Sequence, residues 1–257
     1  MKIATFNANS LRARLDPVLG WLARHKPDVL CVQETKVQDI HFPAEAFAES
    51  GYNVCFKGMK AYNGVAIFSK ERPEHVFHGL RDDLEPDEPR LLHVVINGIH
   101  ILNTYVPQGY LIDSPKYAYK LAWFKRLRNY FEKHLDPQKP AIWCGDMNVA
   151  PLPMDVHHPE KHEDHVCFHK DARLAYQQAL EWGFSDVFRR LFPDKQQFTF
   201  FDYRFPQSVS SNRGWRIDHI LATERLAGRC THVEVDLEPR LAPRASDHTF
   251  LWAQFDV

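Results

Sequence analysis

Short apolar runs recur along the whole chain, and such runs bounded by turn residues are typical of buried β-strands. The pattern predicts strands at residues 2–6, 29–33, 53–56, 64–68, 91–96, 99–105, 141–144, 217–222, 232–235 and 249–255. Asn97 and Gly98 separate two of these runs, and an Asn-Gly pair between alternating runs is the strongest short signal for a β-hairpin. At least part of the sheet structure is therefore expected to be antiparallel.

Three longer segments carry the sequence signals that begin and end helices. Asp16-Pro17 opens a predicted helix at residues 18–25, Ser114-Pro115 opens one at residues 116–135, and Gly183 follows one at residues 171–182. Strands dominate both halves of the chain, and no linker rich in Gly, Ser or Pro separates them. The sequence therefore predicts one α/β domain in which two mixed, mostly antiparallel sheets pack face to face with helices outside.

Composition narrows the class of protein. The 257 residues include 44% apolar side chains, which is enough for a substantial core in a single domain. The net charge of −1 argues against binding of nucleic acid by bulk electrostatics, so any contact with DNA must come from a few local cations. Five cysteines without a CxxC pair favour buried, reduced thiols. With no membrane-length apolar run and no signal-peptide pattern, we expect a cytoplasmic protein.

Polar residues at the ends of predicted strands are the first candidates for chemistry. Asp146 and Asn148 follow a buried run and are two positions apart, so an extended backbone would direct both side chains to one side. A simple turn is the alternative, because Asp and Asn are common in turns. Glu34 ends another buried run and is a hard oxygen ligand suited to Mg²⁺ or Mn²⁺, or else a solvated charge that opens a loop.

A histidine near the end of the chain is a further candidate. His248 follows Asp247 directly, and because adjacent side chains cannot form a relay by themselves, it needs an orienting acid from elsewhere. Asp218 is the candidate for that acid, and a hydrogen-bonded surface histidine is the alternative. Asn7 and Tyr105 each close a strand. Their amide and phenol groups suit contacts to phosphate or to a metal shell, or else local hydrogen bonds in turns.

Histidines are concentrated between His157 and His169, which raises the question of a zinc site. Their spacing matches no standard pattern of four ligands. A polar loop beside the active site is therefore the favoured interpretation of this segment.

Eight segments, taken together and in order, resemble the exonuclease III family of apurinic/apyrimidinic (AP) endonucleases, within the endonuclease/exonuclease/phosphatase superfamily. The segments are TFNANSLRARL, VLCVQETK, NGVAIFSK, NTYVPQG, WCGDMNVAP, FTFFDYR, RGWRIDHILA and SDH, and the resemblance covers residues 2–257. It implies a four-layered α/β sandwich in which residues 1–257 form a single catalytic domain. It also implies a DNA repair enzyme that uses Mg²⁺ or Mn²⁺ to cleave DNA 5′ to abasic sites and to trim the 3′ ends of duplex DNA.

The resemblance also implies roles for individual residues. Tyr105 would contact the phosphate, Asp146 would activate water, and Asn148 would steady the pentacovalent state. Asp218 and His248 would form an acid–histidine pair that binds or polarises the phosphate. The residues implied at the metal region are Asn7, Glu34, Asp146, Asn148, Asp247 and His248.

Contacts to DNA are expected from local cations and from one small pocket. The predicted DNA-binding residues are Lys116, Lys120, Arg204, Arg213 and Arg216, with solvated surface charge as the alternative for each. By the same resemblance, Phe200, Trp215 and Ile217 match positions that line the family's pocket for an extruded abasic sugar; a core location is the alternative. The expected partner is double-stranded DNA with abasic or 3′-blocked ends, bound by a monomer.

Two rival functions share parts of this pattern. Another metal-dependent phosphoesterase of the superfamily, such as an inositol-phosphate phosphatase or a sphingomyelinase, would share the GDxN and SDH segments. The FFDYR and RGWRID segments favour DNA as the substrate. A non-catalytic DNA-binding relative is the second rival, and the presence of every candidate catalytic residue argues against it.

Overall fold

A computed structural model describes residues 1–257 and contains twelve strands and seven α-helices. The strands are β1 Lys2–Asn7, β2 Val29–Gln33, β3 Asn53–Lys57, β4 Val65–Ser69, β5 His75–His78, β6 Leu91–Ile96, β7 Ile99–Tyr105, β8 Ala141–Asp146, β9 Phe184–Asp186, β10 Asp218–Thr223, β11 Cys230–Asp236 and β12 Phe250–Phe255. The helices are α1 Leu15–His25, α2 Ala44–Glu49, α3 Pro115–His134, α4 Lys170–Leu180, α5 Val187–Leu191, α6 Glu224–Ala227 and α7 Glu238–Leu241. None of these helices is long and apolar enough to cross a membrane.

The strands form two six-stranded sheets of matching design. The first sheet has the order β11-β12-β1-β2-β4-β3, and the second has the order β5-β6-β7-β8-β10-β9. In each sheet the two central strands are parallel, β1 with β2 and β7 with β8, and every other pair is antiparallel. The prediction of two mixed, mostly antiparallel sheets is therefore confirmed.

All ten predicted strands are present, and two further strands were missed. β5 is an edge strand with mostly exposed side chains, and β9 has only three residues, so neither carries a long apolar run. The Asn97-Gly98 turn is confirmed, since both residues have positive φ, as a type I′ hairpin turn requires. The first predicted helix in fact begins earlier, at Leu15, so Asp16-Pro17 forms its first turn.

Three layers of buried side chains hold the sandwich together. One layer fills the space between the sheets and includes Ile67, Ile101 and Ile142. A second joins α3 and α4 to the outer face of the second sheet. In the third, the ring of Phe250 stacks on Phe6 and on Trp21 of α1, with centroids 3.9 and 4.2 Å apart. Two sheets with helices outside both faces give the four-layered architecture.

A buried polar clamp joins the two sheets close to the ends of their central strands. Asn103 of β7 donates through Nδ2 to the carbonyl oxygens of Val32 and Ala66 on the other sheet, at 2.9 and 2.8 Å. Its Oδ1 accepts from Gln33 Nε2 at 2.7 Å, and the same nitrogen donates to Thr5 Oγ1 at 2.9 Å. Because an apolar core cannot satisfy these groups in any other way, the clamp fixes how the two sheets lie against each other.

We expect Asn103→Ala to lower the free energy of unfolding by about 1–3 kcal/mol, because Gln33 and two carbonyl oxygens would lose buried partners. Urea denaturation followed by fluorescence measures the change. Asn129→Ala, at an exposed position of α3, is the matched control. Equal stability of the two variants would show that the clamp does not hold the sheets.

Candidate active site

Polar side chains from both sheets meet at one edge of the sandwich. Asn7 ends β1, Glu34 follows β2, Tyr105 ends β7 and Asp146 ends β8. The carboxyl ends of parallel central strands lie at the same edge, so the topology itself collects these residues. Glu34, Tyr105 and Asp146 border a cavity of about 800 Å³ whose polar lining also includes Asn148, Asp247 and His248, and Asn7 is buried behind them.

Asp146 lies at the centre of this cluster and is almost fully buried. Its carboxylate accepts from Asn7 Nδ2 at 2.9 Å, from the backbone N–H of Asn148 at 2.9 Å and from Asn148 Nδ2 at 3.3 Å. Burial raises the pKa of Asp146 to about 7; His248 opposes this rise, whereas Asp218 and Glu34 add to it. A carboxylate with this pKa can exchange a proton near neutral pH.

Asn148 is beside Asp146, but not for the reason that the sequence suggested. The strand ends at Asp146, and Asn148 has a left-handed backbone with φ of +48°. The two side chains meet because the Asp146 carboxylate binds the Asn148 backbone in a tight turn. The sequence analysis treated a turn and a site as alternative interpretations of Asp146 and Asn148. In the structure the turn itself brings the two side chains together.

Glu34 is held between an amide and a cation. Asn7 Nδ2 donates to Glu34 Oε1 at 2.8 Å, and Lys36 Nζ lies 2.8 Å from Glu34 Oε2. Burial alone would raise the pKa of Glu34, but Lys36 and Asn7 together lower it below its ordinary value. Glu34 is therefore ionised and presents a negative charge to the cavity. The role of Lys36 was missed, since a lysine after a glutamate carries no distinctive signal.

His248 is oriented by Asp218, as the sequence predicted. His248 Nδ1 lies 2.8 Å from Asp218 Oδ2, and Nε2 lies 3.8 Å from Asp146 Oδ2. Asp218 begins β10 opposite Asp146 in the register, so the fold brings together residues far apart in sequence. Burial would lower the pKa of His248, but Asp218 and Asp146 overcome it and raise the pKa to about 10. His248 is a protonated donor between two carboxylates.

Tyr105 closes one side of the cavity with a protonated phenol. Burial, with the nearby charges of Glu34 and Asp146, raises the pKa of Tyr105 well above its usual range. The guanidinium carbon of Arg90 lies 4.9 Å from the centre of the Tyr105 ring and helps to hold the ring. Tyr105 can therefore donate a hydrogen bond but does not serve as a base.

The donor set at the centre fits a divalent cation. Potential ligand atoms of Asp146, Asp218 and His248 all lie within 4.8 Å of one another, and Asp218 Oδ1 is buried without a hydrogen-bond partner; His248 would have to lose its proton to coordinate a metal. Carboxylate oxygens are the ligands that Mg²⁺ and Mn²⁺ prefer. Asp218 was not among the residues implied at the metal region. Asn7 was, but here its amide nitrogen faces the carboxylates, so an oxygen ligand from Asn7 requires the amide to be turned over.

Asp247 lies at the rim of the cavity rather than at its centre. It is half-buried, and its Oδ1 accepts from Asn9 Nδ2 at 3.1 Å and from Ser246 Oγ at 3.3 Å. Asn9 in turn accepts from Lys36 Nζ through Oδ1 at 2.6 Å. Hydrogen bonds through Asn9 and Lys36 therefore connect Asp247 to Glu34.

The prediction that Lys120 and Arg216 bind DNA is wrong. Both side chains are fully buried, Lys120 against backbone carbonyls and Arg216 between Asp155 and Asp186. Neither can reach a phosphate in solvent. The remaining predicted cations are exposed: Arg204 and Arg213 border the cavity, and Lys116 lies near the ring of Tyr110.

An aromatic wall closes the other side of the cavity. Phe200, Trp215 and Ile217 all line it, although Trp215 is only 7% exposed. The rings of His165 and His162 pack on Trp215, with centroids 4.5 and 4.9 Å apart. The histidine-rich loop therefore lies beside the site, and it forms no cluster of three metal-ligating side chains.

Comparisons with known proteins agree with this geometry. A model of the Endonuclease/Exonuclease/phosphatase family matches residues 4–248. Exodeoxyribonuclease III of Haemophilus influenzae is 34% identical over 99% of this chain and 100% of its own. An AP endonuclease structure from Archaeoglobus fulgidus is 54% identical, with a TM-score of 0.97 and 100% of both chains covered. A Neisseria 3′ phosphatase bound to product DNA hairpin is 36% identical, with a TM-score of 0.96 over 100% of both chains.

Fold and site together define an α/β sandwich enzyme with a carboxylate-rich cleft between two mixed sheets. The chain belongs to the Endonuclease/Exonuclease/phosphatase family, and its resemblance to the exonuclease III branch is confirmed. These relatives favour a nuclease over an inositol-phosphate phosphatase, a sphingomyelinase or a non-catalytic protein.

We expect Asp218→Asn to lower the pKa of His248 by about 1 unit or more, because the substitution removes the negative charge closest to the imidazole. Titration of the ring resonances by NMR measures this pKa. Asp256→Asn, at an exposed position, is the control. An unchanged pKa in Asp218→Asn would mean that the pair is not formed in solution.

Proposed function

We propose that this protein is a DNA repair nuclease that hydrolyses the phosphodiester bond 5′ to abasic sites and trims the 3′ ends of duplex DNA. The observation that carries the proposal is the hydrogen-bonded pair of His248 and Asp218 beside Asp146, at the floor of a cavity with one aromatic wall. The 54% identity to an AP endonuclease of the same fold supports it. Because both sheets supply residues to the one cavity, we also propose that residues 1–257 act as a single catalytic domain.

Asp146 is the proposed group that orients and deprotonates the attacking water. Its pKa of about 7 suits proton transfer near neutral pH, and its hydrogen bonds to Asn7 and Asn148 fix the direction of its free lone pairs. Lys36 keeps Glu34 ionised. Without a cation nearby, the negative charge of Glu34 makes it harder for Asp146 to release the proton that it takes from the water.

Three residues are the proposed donors to the charge that develops on the phosphate. His248 would contribute a full positive charge and Tyr105 a phenol, and Asn148 would contribute a side-chain N–H in exchange for one of its hydrogen bonds to Val106 O and Asp146. Donors fixed in place before the reaction stabilise the transition state without the cost of reorganising solvent. A buried imidazolium is the strongest of the three, because its charge acts in a water-poor environment.

We propose Mg²⁺ or Mn²⁺ as the cofactor. Glu34 and Asp146, with the unpartnered Oδ1 of Asp218 beside them, would hold the cation; Asn7, Asn148 and Asp247 would border its shell, and protonated His248 would act on the phosphate instead. When bound, it supplies a Lewis acid for the non-bridging phosphate oxygens and lowers the pKa of neighbouring acids. The clustered negative charge of these carboxylates is the feature that calls for such a cation.

A cleavage assay on matched duplexes tests the function. The substrates carry one abasic site, a 3′-phosphate or a plain 3′-hydroxyl, with either Mg²⁺ or EDTA present. We expect metal-dependent cleavage of damaged DNA, and a loss of at least about 100-fold in Asp146→Asn but not in Asp194→Asn, an exposed control. A parent protein that leaves all three duplexes intact would refute the proposal.

We expect Glu34→Ala to raise the Mg²⁺ concentration needed for half-maximal activity by roughly 10-fold, because one anionic ligand is lost from a site that keeps much of its water. Excess Mg²⁺ should restore part of the rate. Glu45→Ala, on the exposed face of α2, is the control. If no Mg²⁺ concentration restored any activity, Glu34 would have a role in the chemical step instead.

We expect Trp215→Ala to lower the ratio of cleavage at abasic sites to cleavage at intact nucleotides by roughly 10-fold, because a tight apolar wall excludes a nucleotide that keeps its base. Trp215→Phe keeps a flat ring and should preserve most of the ratio. Thermal melting identifies any loss of stability from the core side of this residue. An unchanged ratio in a variant that melts like the parent would show that Trp215 does not select the lesion.

A further inference from the structure

Lys120 is a buried cation beneath the cleft that the proposed chemistry does not use. It lies in α3 and is 0% exposed, and it forms no ion pair with a carboxylate. Its Nζ instead donates to three backbone carbonyls: Asn148 and Val166 at 2.7 Å each, and Gln108 at 3.2 Å. Three N–H donors and three acceptors leave the ammonium fully hydrogen-bonded but not neutralised.

The three acceptors belong to three different segments at the border of the cavity. Gln108 follows β7, Asn148 follows β8, and Val166 precedes Cys167 in the histidine-rich loop. Gly109 makes room for the lysine, since a Cβ at this position would lie 3.3 Å from Lys120 Cδ, and its φ is +102°. One side chain therefore fixes three segments that have no regular secondary structure.

Of the three acceptors, Asn148 is the one that the proposed chemistry uses. Its backbone is left-handed, with φ of +48°, a conformation that asparagine adopts more readily than most residues with a side chain, and Lys120 binds its carbonyl oxygen. Its side chain is fixed as well, because Nδ2 donates to Val106 O at 3.0 Å and Oδ1 lies 3.7 Å from Cys167 Sγ. The amide N–H directed at Asp146 is thus aimed by a framework that Lys120 completes.

Burying Lys120 is costly, and what offsets the cost is its binding to segments that border the site. An ammonium removed from water without a counter-ion is expensive, but an apolar side chain in its place would leave three carbonyl oxygens of these segments without partners. Burial lowers the pKa of Lys120, and the nearby Cys167 and Asp146 oppose that shift only in part. A fixed positive charge under a cleft that binds an anion stabilises negative charge as it grows.

We propose that Lys120 is a positioning residue for phosphodiester hydrolysis: it holds Asn148 in its left-handed conformation and supplies a buried positive charge beneath the reacting phosphate. The inference rests on the proposed function, since it assigns a role within that reaction. It replaces the incorrect prediction that Lys120 contacts DNA in solvent.

The test compares Lys120→Met and Lys120→Gln with Lys125→Met, which removes an exposed lysine from the same helix. Melting temperature, KM and kcat are measured on the duplex that the parent cleaves best. We expect kcat to fall by roughly 10-fold or more in both Lys120 variants, with KM within about threefold of the parent, because the lost interaction acts on the transition state. Lys125→Met should behave like the parent.

A double-mutant cycle with Asn148→Ala separates positioning from a general structural role. If Lys120 acts through Asn148, Lys120→Met should reduce kcat far less in the Asn148→Ala background than in the parent. If instead the reductions in kcat caused by Lys120→Met and by Asn148→Ala simply multiplied in the double variant, the proposal would be overturned. So would an unchanged kcat in a folded Lys120 variant, or the failure of both Lys120 variants to fold. Inactivity of the parent itself would instead contradict the proposed function.

Discussion

The hydrogen bond between Asn7 and Asp146 is the contact on which the site depends, because it joins the two sheets at the point where their central strands end. Asn7 Nδ2 is shared between Asp146 on the second sheet and Glu34 on the first. The cleft is therefore formed by residues of both sheets, and not by one strand or helix with its adjoining loops. Its geometry is set by how the sheets pack, and the Asn103 clamp fixes that packing a short distance deeper in the core.

Electrostatic strain is the other constraint on this site. Glu34, Asp146 and Asp218 lie close together with little access to water, and the protein offsets their repulsion only in part, with Lys36 and a protonated His248. Burial, and after it the repulsion from Asp218 and Glu34, keeps the pKa of Asp146 raised despite His248. A bound cation, or a phosphate bound beside His248, would change the balance of charge at the site. The arrangement therefore favours the binding of ligands and not the stability of the site itself.

Buried cations behind the cleft show how this arrangement is supported. Arg216 is paired with Asp155 and Asp186, and it fixes the segment that leads into Asp218 and β10. Lys120 has carbonyl partners only, and it holds the segments that lead out of β7 and β8. Removing either cation would leave buried polar groups without partners in the framework beneath the catalytic groups.

The sequence by itself determined ten of the twelve strands, the class of fold and most of the candidate catalytic residues. Apolar runs must be buried, and a polar residue directly after such a run must emerge at a sheet edge, so Glu34, Tyr105 and Asp146 were identifiable from local pattern. Only the tertiary structure decided which of these strand ends, from two different sheets, lie next to each other at one site. It also showed that Lys120 and Arg216 are buried rather than bound to DNA, and that Lys36 is part of the site. The reason is physical: residue type fixes a charge, but burial and partners depend on contacts between segments that are distant along the chain.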